Sequence, residues 1–347
     1  NPNYLFIDLL LSETTKPGKF DIVFKESGRP LISHPYEILK RNAGSAERQG
    51  FSPADVIYLI TPDRYANGDP SNDSSLRLEE KSNRQNKDGR HGGDIQGIID
   101  HLDYIAEMGF TQIWLNPVLE NNQKKYSYHG YSTTDYYNID ARFGNNALYK
   151  KLSEQAKRKG IGIIKDIILN HIGSEHWWMM DLPSSDWINN EGKFLQTSHN
   201  HLAVHDPHLV QSEKDAFTDG WFVKSMPDLN QHNPFLATYL IQNSIWWIEY
   251  ASLSGFRVDT YPYVEKMFLS DWSKRITKEY PNFSFVGEEW SSNPAMIAYW
   301  QVGSHRYDNY KSYIPNMMDF PLHEALVNSL LNKETWETGI KDLYKVL

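Results

Sequence analysis

Short apolar runs and helix-period segments alternate along most of this 347-residue chain. The runs fall at 56–60, 111–115, 161–168, 255–258 and 283–287, with a sixth near Tyr313–Asp319. Between them, residues 94–108, 146–159, 235–251 and 265–279 repeat apolar positions at helical spacing. Strands alternating with helices predict βαβ units and a parallel sheet. Polar residues gather where the runs end: Asn116, Asp166, Asn170, His171, Asp259 and Glu288. Side chains collected at the C-terminal ends of parallel strands are what a TIM (β/α)8 barrel provides. A doubly wound sheet would be expected to carry a Gly-rich nucleotide fingerprint, and the chain has none.

A closed barrel needs eight strands and this count reaches six. The expectation is therefore a partial barrel over residues 46–347, with the remainder beyond Leu347. Between the third run and the helix near 235 lies a long stretch rich in Trp, His, Asp and Pro. Connections of that length are usually functional, so 172–232 is read as a subdomain over the barrel mouth. Upstream, 4–11 and 20–24 read as two strands around a Thr-Lys-Pro-Gly turn. With Pro30 and Pro35 punctuating a connector, residues 1–45 become the end of a small β-domain and its linker.

Composition trims the functional classes. A net charge of −9 with no basic cluster disfavours nucleic acid, which needs cations to displace phosphate counterions. The richest apolar stretch carries Lys165 and Asp166, so no transmembrane segment is expected. The absence of Cys removes disulfides, thiolate metal sites and Cys nucleophiles. No signal peptide is spelled in the chain, and that absence is uninformative for a sequence opening on Asn1.

Three clusters carry chemistry. In Gly255-Phe-Arg-Val-Asp259, strand period two turns Arg257 and Asp259 to one face, where the guanidinium favours the ionised carboxylate and lowers its pKa. Glu288 and Glu289 close the next run, and adjacent strand residues point to opposite faces, so one of the two enters the cavity. Asp166-Ile-Ile-Leu-Asn170-His171 is the third cluster.

In this order, at successive strand ends, these segments resemble three of the four hallmark segments of the α-amylase family of glycoside hydrolases. The resemblance runs from about residue 50 to 347 and implies a retaining mechanism. Asp259 matches the nucleophile, Glu288 the general acid/base, and Arg257 the arginine that keeps the nucleophile ionised. His171, together with Asp166 and Asn170, matches the segment that binds sugar where cleavage occurs. In Tyr128-His129-Gly-Tyr131, His129 matches a hydroxyl-binding histidine and Tyr131 an aromatic that stacks on the ring. Such enzymes hold two carboxyls about 5–5.5 Å apart, one protonated and one charged.

Asn67-Gly-Asp69-Pro-Ser-Asn72-Asp73 and Gly92-Gly-Asp94 are dense in oxygen donors that suit Ca²⁺, although the same residues build Asx-turns. The pattern resembles the calcium site of the cyclomaltodextrinase and neopullulanase subgroup, which implies Asn67, Asp69, Asn72, Asp73, Gly92 and Asp94 as ligands of a structural calcium. Two departures bear on specificity. Tyr261-Pro-Tyr263 replaces the Lys-His of many α-amylases, and Met226-Pro-Asp-Leu-Asn230 lies between the neopullulanase and oligo-1,6-glucosidase forms. The family's seventh-strand His-Asp pair has no match and is expected past Leu347.

The resulting expectation is a retaining α-glucan hydrolase acting on starch-derived oligosaccharides, cyclodextrins or pullulan. Alternatives on the same scaffold are an α-1,6-glucosidase, a transglycosylase, or a non-catalytic glucan-binding relative. An exported bacterial protein or a cytoplasmic maltodextrin enzyme would look alike, and a homodimer of the full-length form is compatible with both. Trp177-Trp178 and Trp246-Trp247 read as core, and His199, His201 and His205 as a solvated loop rather than a metal set.

Overall fold

A computed structural model describes residues 1–346. Its centre is a six-stranded parallel sheet curled into part of a barrel. The strands in chain order are β1 (Gly18–Glu26), β2 (Arg29–Ile38), β3 (Ile57–Ile60), β4 (Gln112–Leu115), β5 (Leu119–Glu120), β6 (Asp135–Ile139), β7 (Gly162–Ile167), β8 (Gly255–Val258), β9 (Ser284–Gly287) and β10 (Asn316–Met317). The sheet order is β10-β9-β8-β7-β4-β3, and β5 pairs with β6 as a small side hairpin. All six predicted barrel runs are strands.

The central strands β7 and β8 are almost wholly buried on both faces, which is why they read as unbroken apolar runs. Phe256 and Val258 turn outward and are fully buried, while the alternate positions Arg257 and Asp259 turn inward. Lys165 breaks the rule. It sits on the outward side at 1% exposure, its Nζ 4.6 Å from the Trp247 ring centre and without a hydrogen-bond partner. Burial pulls its ammonium down to about 7, against an opposing pull from Asp166.

The outer helices are α1 (Pro62–Tyr65), α2 (Ile95–Asp100), α3 (Leu102–Glu107), α4 (Asn146–Arg158), α5 (Gln211–Thr218), α6 (Pro234–Ala251), α7 (Lys266–Glu279), α8 (Pro294–Trp300) and α9 (Phe320–Leu331). Their starts follow from local chemistry. Asn233 caps α6 by accepting from the N–H groups of Phe235 and Leu236 ahead of Pro234 at the first position. The segment predicted as one helix over 94–108 is two, broken at His101. That ring donates from Nδ1 to the Gly97 carbonyl, taking the acceptor its own backbone N–H would use.

The N-terminal reading is corrected. Residues 4–11 form no strand; Tyr4 bonds the Asp181 carbonyl and Phe6 stacks on Phe235 at 4.1 Å. The partner of β1 is instead β2, through a two-residue turn at Ser27 and Gly28, both with positive φ. Pro30 and Pro35, read as connector residues, lie within β2, which tolerates them because a two-stranded ribbon leaves N–H positions facing solvent. Between β7 and α6, residues 172–232 fold as short helical turns plus α5, tied down by bridges such as Ile188 to Leu229. Among the described residues no helix is long and apolar enough to cross a membrane.

Candidate active site

The parallel register puts Asp166 beside Arg257, and Arg257 beside Val286, so successive inward side chains share one layer. Arg257 becomes the hub. Its Nη1 donates to Asp166 Oδ1 at 2.9 Å and Asp259 Oδ1 at 2.6 Å, while Nη2 pairs with Glu288 Oε1. Three carboxyls therefore surround one guanidinium, all four groups nearly inaccessible to solvent. Fully ionised, the cluster would carry two uncompensated negative charges, so it tends to retain a proton.

Burial raises Glu288, and the Asp259 charge raises it further against the pull of Arg257. Asp259 is also raised, because burial outweighs Arg257. Here the sequence expectation of a lowered Asp259 pKa is corrected. One cation divided among three carboxyls cannot offset desolvation at each. Asp166 is raised by burial as well, and its oxygens accept from Arg257, Trp114 Nε1 and Tyr131 Oη.

Thr260 went unnoticed in the sequence. Its φ of 46° is left-handed, a costly conformation for a β-branched residue. The strain aims its N–H at Glu288 Oε2 (3.1 Å) and its hydroxyl at Asp259 Oδ2 (3.3 Å). One residue thus touches both carboxyls. Nothing in the sequence marks a Thr for that backbone.

His129, Tyr131, His171, Phe222, Met226, Arg257, Asp259, Thr260, Glu288 and Trp290 line one cavity of about 370 Å³. Gly130 makes the loop possible: its φ is +85°, and a Cβ there would lie 2.0 Å from the Pro117 carbonyl. His129 Nδ1 accepts from the Tyr131 N–H, leaving Nε2 as a donor. His171 donates from Nε2 to the Tyr131 carbonyl, leaving Nδ1 an acceptor with no protein partner. Burial pulls both imidazoles down to about 4, so both are neutral near pH 7. Of the expected sugar-binding residues, Asp166 and Asn170 lie behind the wall. Asp166 holds Arg257, and Asn170 donates to Asp228 at 2.8 Å, pinning the 172–232 segment. Glu289 is fully buried and faces away from the cavity that Glu288 lines. A larger cavity of about 760 Å³, walled by Val204–Pro207, Tyr299 and Ser304–Asp308, contains none of the three carboxyls.

The histidine-rich loop is corrected in part: His201 is half-buried and bonds both Tyr263 and Glu289, whereas His199 bonds Tyr263 and remains exposed. Trp178 and Trp247 are core, while Trp177 is 43% exposed.

The oxygen-rich loops meet as their spacing requires. Asp94 caps α2, accepting from Gly97, Gly68 and Asp69 N–H groups and from Asn72 Nδ2. Asn67 donates to Asp73 at 2.7 Å, and Asp69 turns back to accept from Ser71. Gly92, at φ +87°, lies where a Cβ would come within 2.7 Å of Asp73 Oδ1. Among the described residues no three His, Asp or Glu side chains are grouped to hold a metal ion. The side-chain amide oxygens (Oδ1) of Asn67 and Asn72 are nevertheless buried without partners, hard donors that suit Ca²⁺.

Comparison with known proteins gives consistent matches. The family profile described as alpha amylase, catalytic domain, matches residues 59–346, and that described as cyclomaltodextrinase, N-terminal, matches residues 1–42. The chain is 30% identical to a beta/alpha-amylase of Paenibacillus polymyxa, over 83% of this chain and 22% of that protein. It is 30% identical to neopullulanase 2 of Thermoactinomyces vulgaris, over 75% and 42%. The chain thus spans less than half the length of these relatives. The crystal structure of an alpha-amylase from Geobacillus thermoleovorans, complexed with acarbose, superposes with a TM-score of 0.67 at 32% identity, over 84% of this chain and 56% of that one.

Proposed function

The chain belongs to the alpha-amylase catalytic-domain family, and from that membership we propose that it supplies the reacting groups of a retaining α-glucan hydrolase. The observation that carries this reading is the sharing of one guanidinium by Asp259 and Glu288 at the wall of one cavity. Asp259 is the nucleophile. Its Oδ1 is held by Arg257, which leaves Oδ2, beside the Thr260 hydroxyl, to attack the anomeric carbon. Glu288 keeps its proton through burial and the neighbouring charge, gives it to the departing glycosidic oxygen, and then takes one from water to release the sugar. Tyr131 offers a ring face to the sugar, while His129 and His171 offer a donor and an acceptor to its hydroxyls.

The matched N-terminal profile supports maltooligosaccharides and cyclodextrins as the substrate class. Chromatography after incubating the complete protein with maltoheptaose, cyclodextrin, pullulan and isomaltose tests this. Maltose-sized products from the first two are expected; release from isomaltose alone would favour an α-1,6-glucosidase.

Calcium is proposed as a structural ion held by Asn67, Asp69, Asn72, Asp73, Asp94 and the Gly92 carbonyl. When bound it would neutralise the loop carboxylates and join the loop after β3 to the start of α2. A ligand at a hundredfold its Kd stabilises by about 2.7 kcal/mol, so EDTA should lower the melting temperature by a few degrees and Ca²⁺ should restore it. A melting curve indifferent to both would remove the ion from the account.

A further inference from the structure

We propose that Glu289, clamped by His201, is a positioning residue for the leaving-group side of the cleft. The inference rests on the reading of Glu288 as the acid. A buried carboxylate is costly unless paired, and Glu289 is fully buried one residue from Glu288. Its Oε1 lies 2.6 Å from His201 Nδ1, and its Oε2 accepts from Trp300 Nε1 at 3.2 Å. His201 Nε2 lies 3.1 Å from the Tyr263 hydroxyl, which His199 Nδ1 also approaches at 3.1 Å. Phe217 stacks on Tyr263 at 4.2 Å and fixes its ring.

This network ties three pieces of chain together, the first two following the paired strands β9 and β8 and the third joined to them through its histidines. They are the end of β9 with Glu288, the turn after Asp259 with Tyr263, and the 172–232 segment with both histidines. Each piece also supplies cavity wall. Trp290 follows Glu289 directly, Thr260 precedes Tyr263, and Phe222 and Met226 come from the 172–232 segment. An acid must sit beside the oxygen it protonates, so the departing sugar lies on the Glu288 side, next to Trp290. Releasing Glu289 from His201 frees that wall, while Tyr131, His129 and His171 are held by other bonds.

The test is Glu289→Gln in the complete protein, with His201→Gln as a second variant on a partly exposed side chain. Each is assayed on maltoheptaose and on α-maltosyl fluoride, whose leaving group is no sugar and needs no proton. In both variants kcat/KM on maltoheptaose should fall about tenfold, with the fluoride changed less than about twofold. The double variant should be no worse than either single one, as expected for groups acting through one contact. Equal losses on both substrates would reduce the network to general scaffolding and overturn the proposal, as would unchanged turnover. A parent protein inactive on both substrates would sink the hydrolase reading instead.

Discussion

Asp259→Asn should lower turnover of maltooligosaccharides by about four orders of magnitude while leaving binding nearly intact. The substitution keeps shape and volume, so the cavity and the contact with Thr260 survive. What disappears is the anion that forms the covalent bond. An amide is a far weaker nucleophile, and the three carboxyls around Arg257 become two. Isothermal calorimetry with the variant should show maltoheptaose binding, and stopped assays of the same preparation should show almost no glucose-equivalent release. Turnover close to that of the parent would remove Asp259 from the chemistry.

Lys165→Met should stabilise the fold, and the gain should depend on pH in a definite direction. The Lys165 ammonium is buried between β7 and the outer helices without a hydrogen bond. Its folded pKa is pulled down to about 7 from the ordinary 10.5. A base with a depressed folded pKa destabilises the fold fully below about pH 7. The penalty then fades as pH rises toward 10.5, where the unfolded side chain also loses its proton. Met has similar length and no charge, so it removes the penalty and forfeits the contact with Trp247. The two effects net to a gain of about 3 kcal/mol at pH 6. Denaturant melts of both proteins at pH 6 and pH 10 check this. A gain that fails to shrink at pH 10 would mean that packing, not charge, decides the site.

The barrel was legible because its strands are apolar runs ending in polar residues, the central two, β7 and β8, being buried on both faces. The hairpin was not. Residues 4–11 are apolar enough for a strand yet lie against Phe235 and Asp181, while β2 carries two prolines and no exclusive face. Ser27-Gly28 was the available signal, a dipeptide suited to a two-residue turn. In the site, strand parity limited the cavity to one of Glu288 and Glu289 without saying which. Parity also could not show that the other glutamate binds His201, 88 residues away. Contacts of that range depend on how 172–232 folds back over the sheet, and no local pattern records it. Thr260 is the clearest case, because only the backbone angle reveals its role. The direction of the Asp259 shift was missed for a related reason. Two residues spaced for a strand show a pair, whereas the folded site shows one arginine serving three acids.

The most direct test of the account is to trap the intermediate. The complete protein would be treated with 5-fluoro-α-maltosyl fluoride, digested, and its peptides mapped by mass spectrometry. The sugar should be found in ester linkage on Asp259, and the label should vanish in Asp259→Asn. A label on another residue, or a protein that turns over maltoheptaose yet never becomes labelled, would contradict the mechanism.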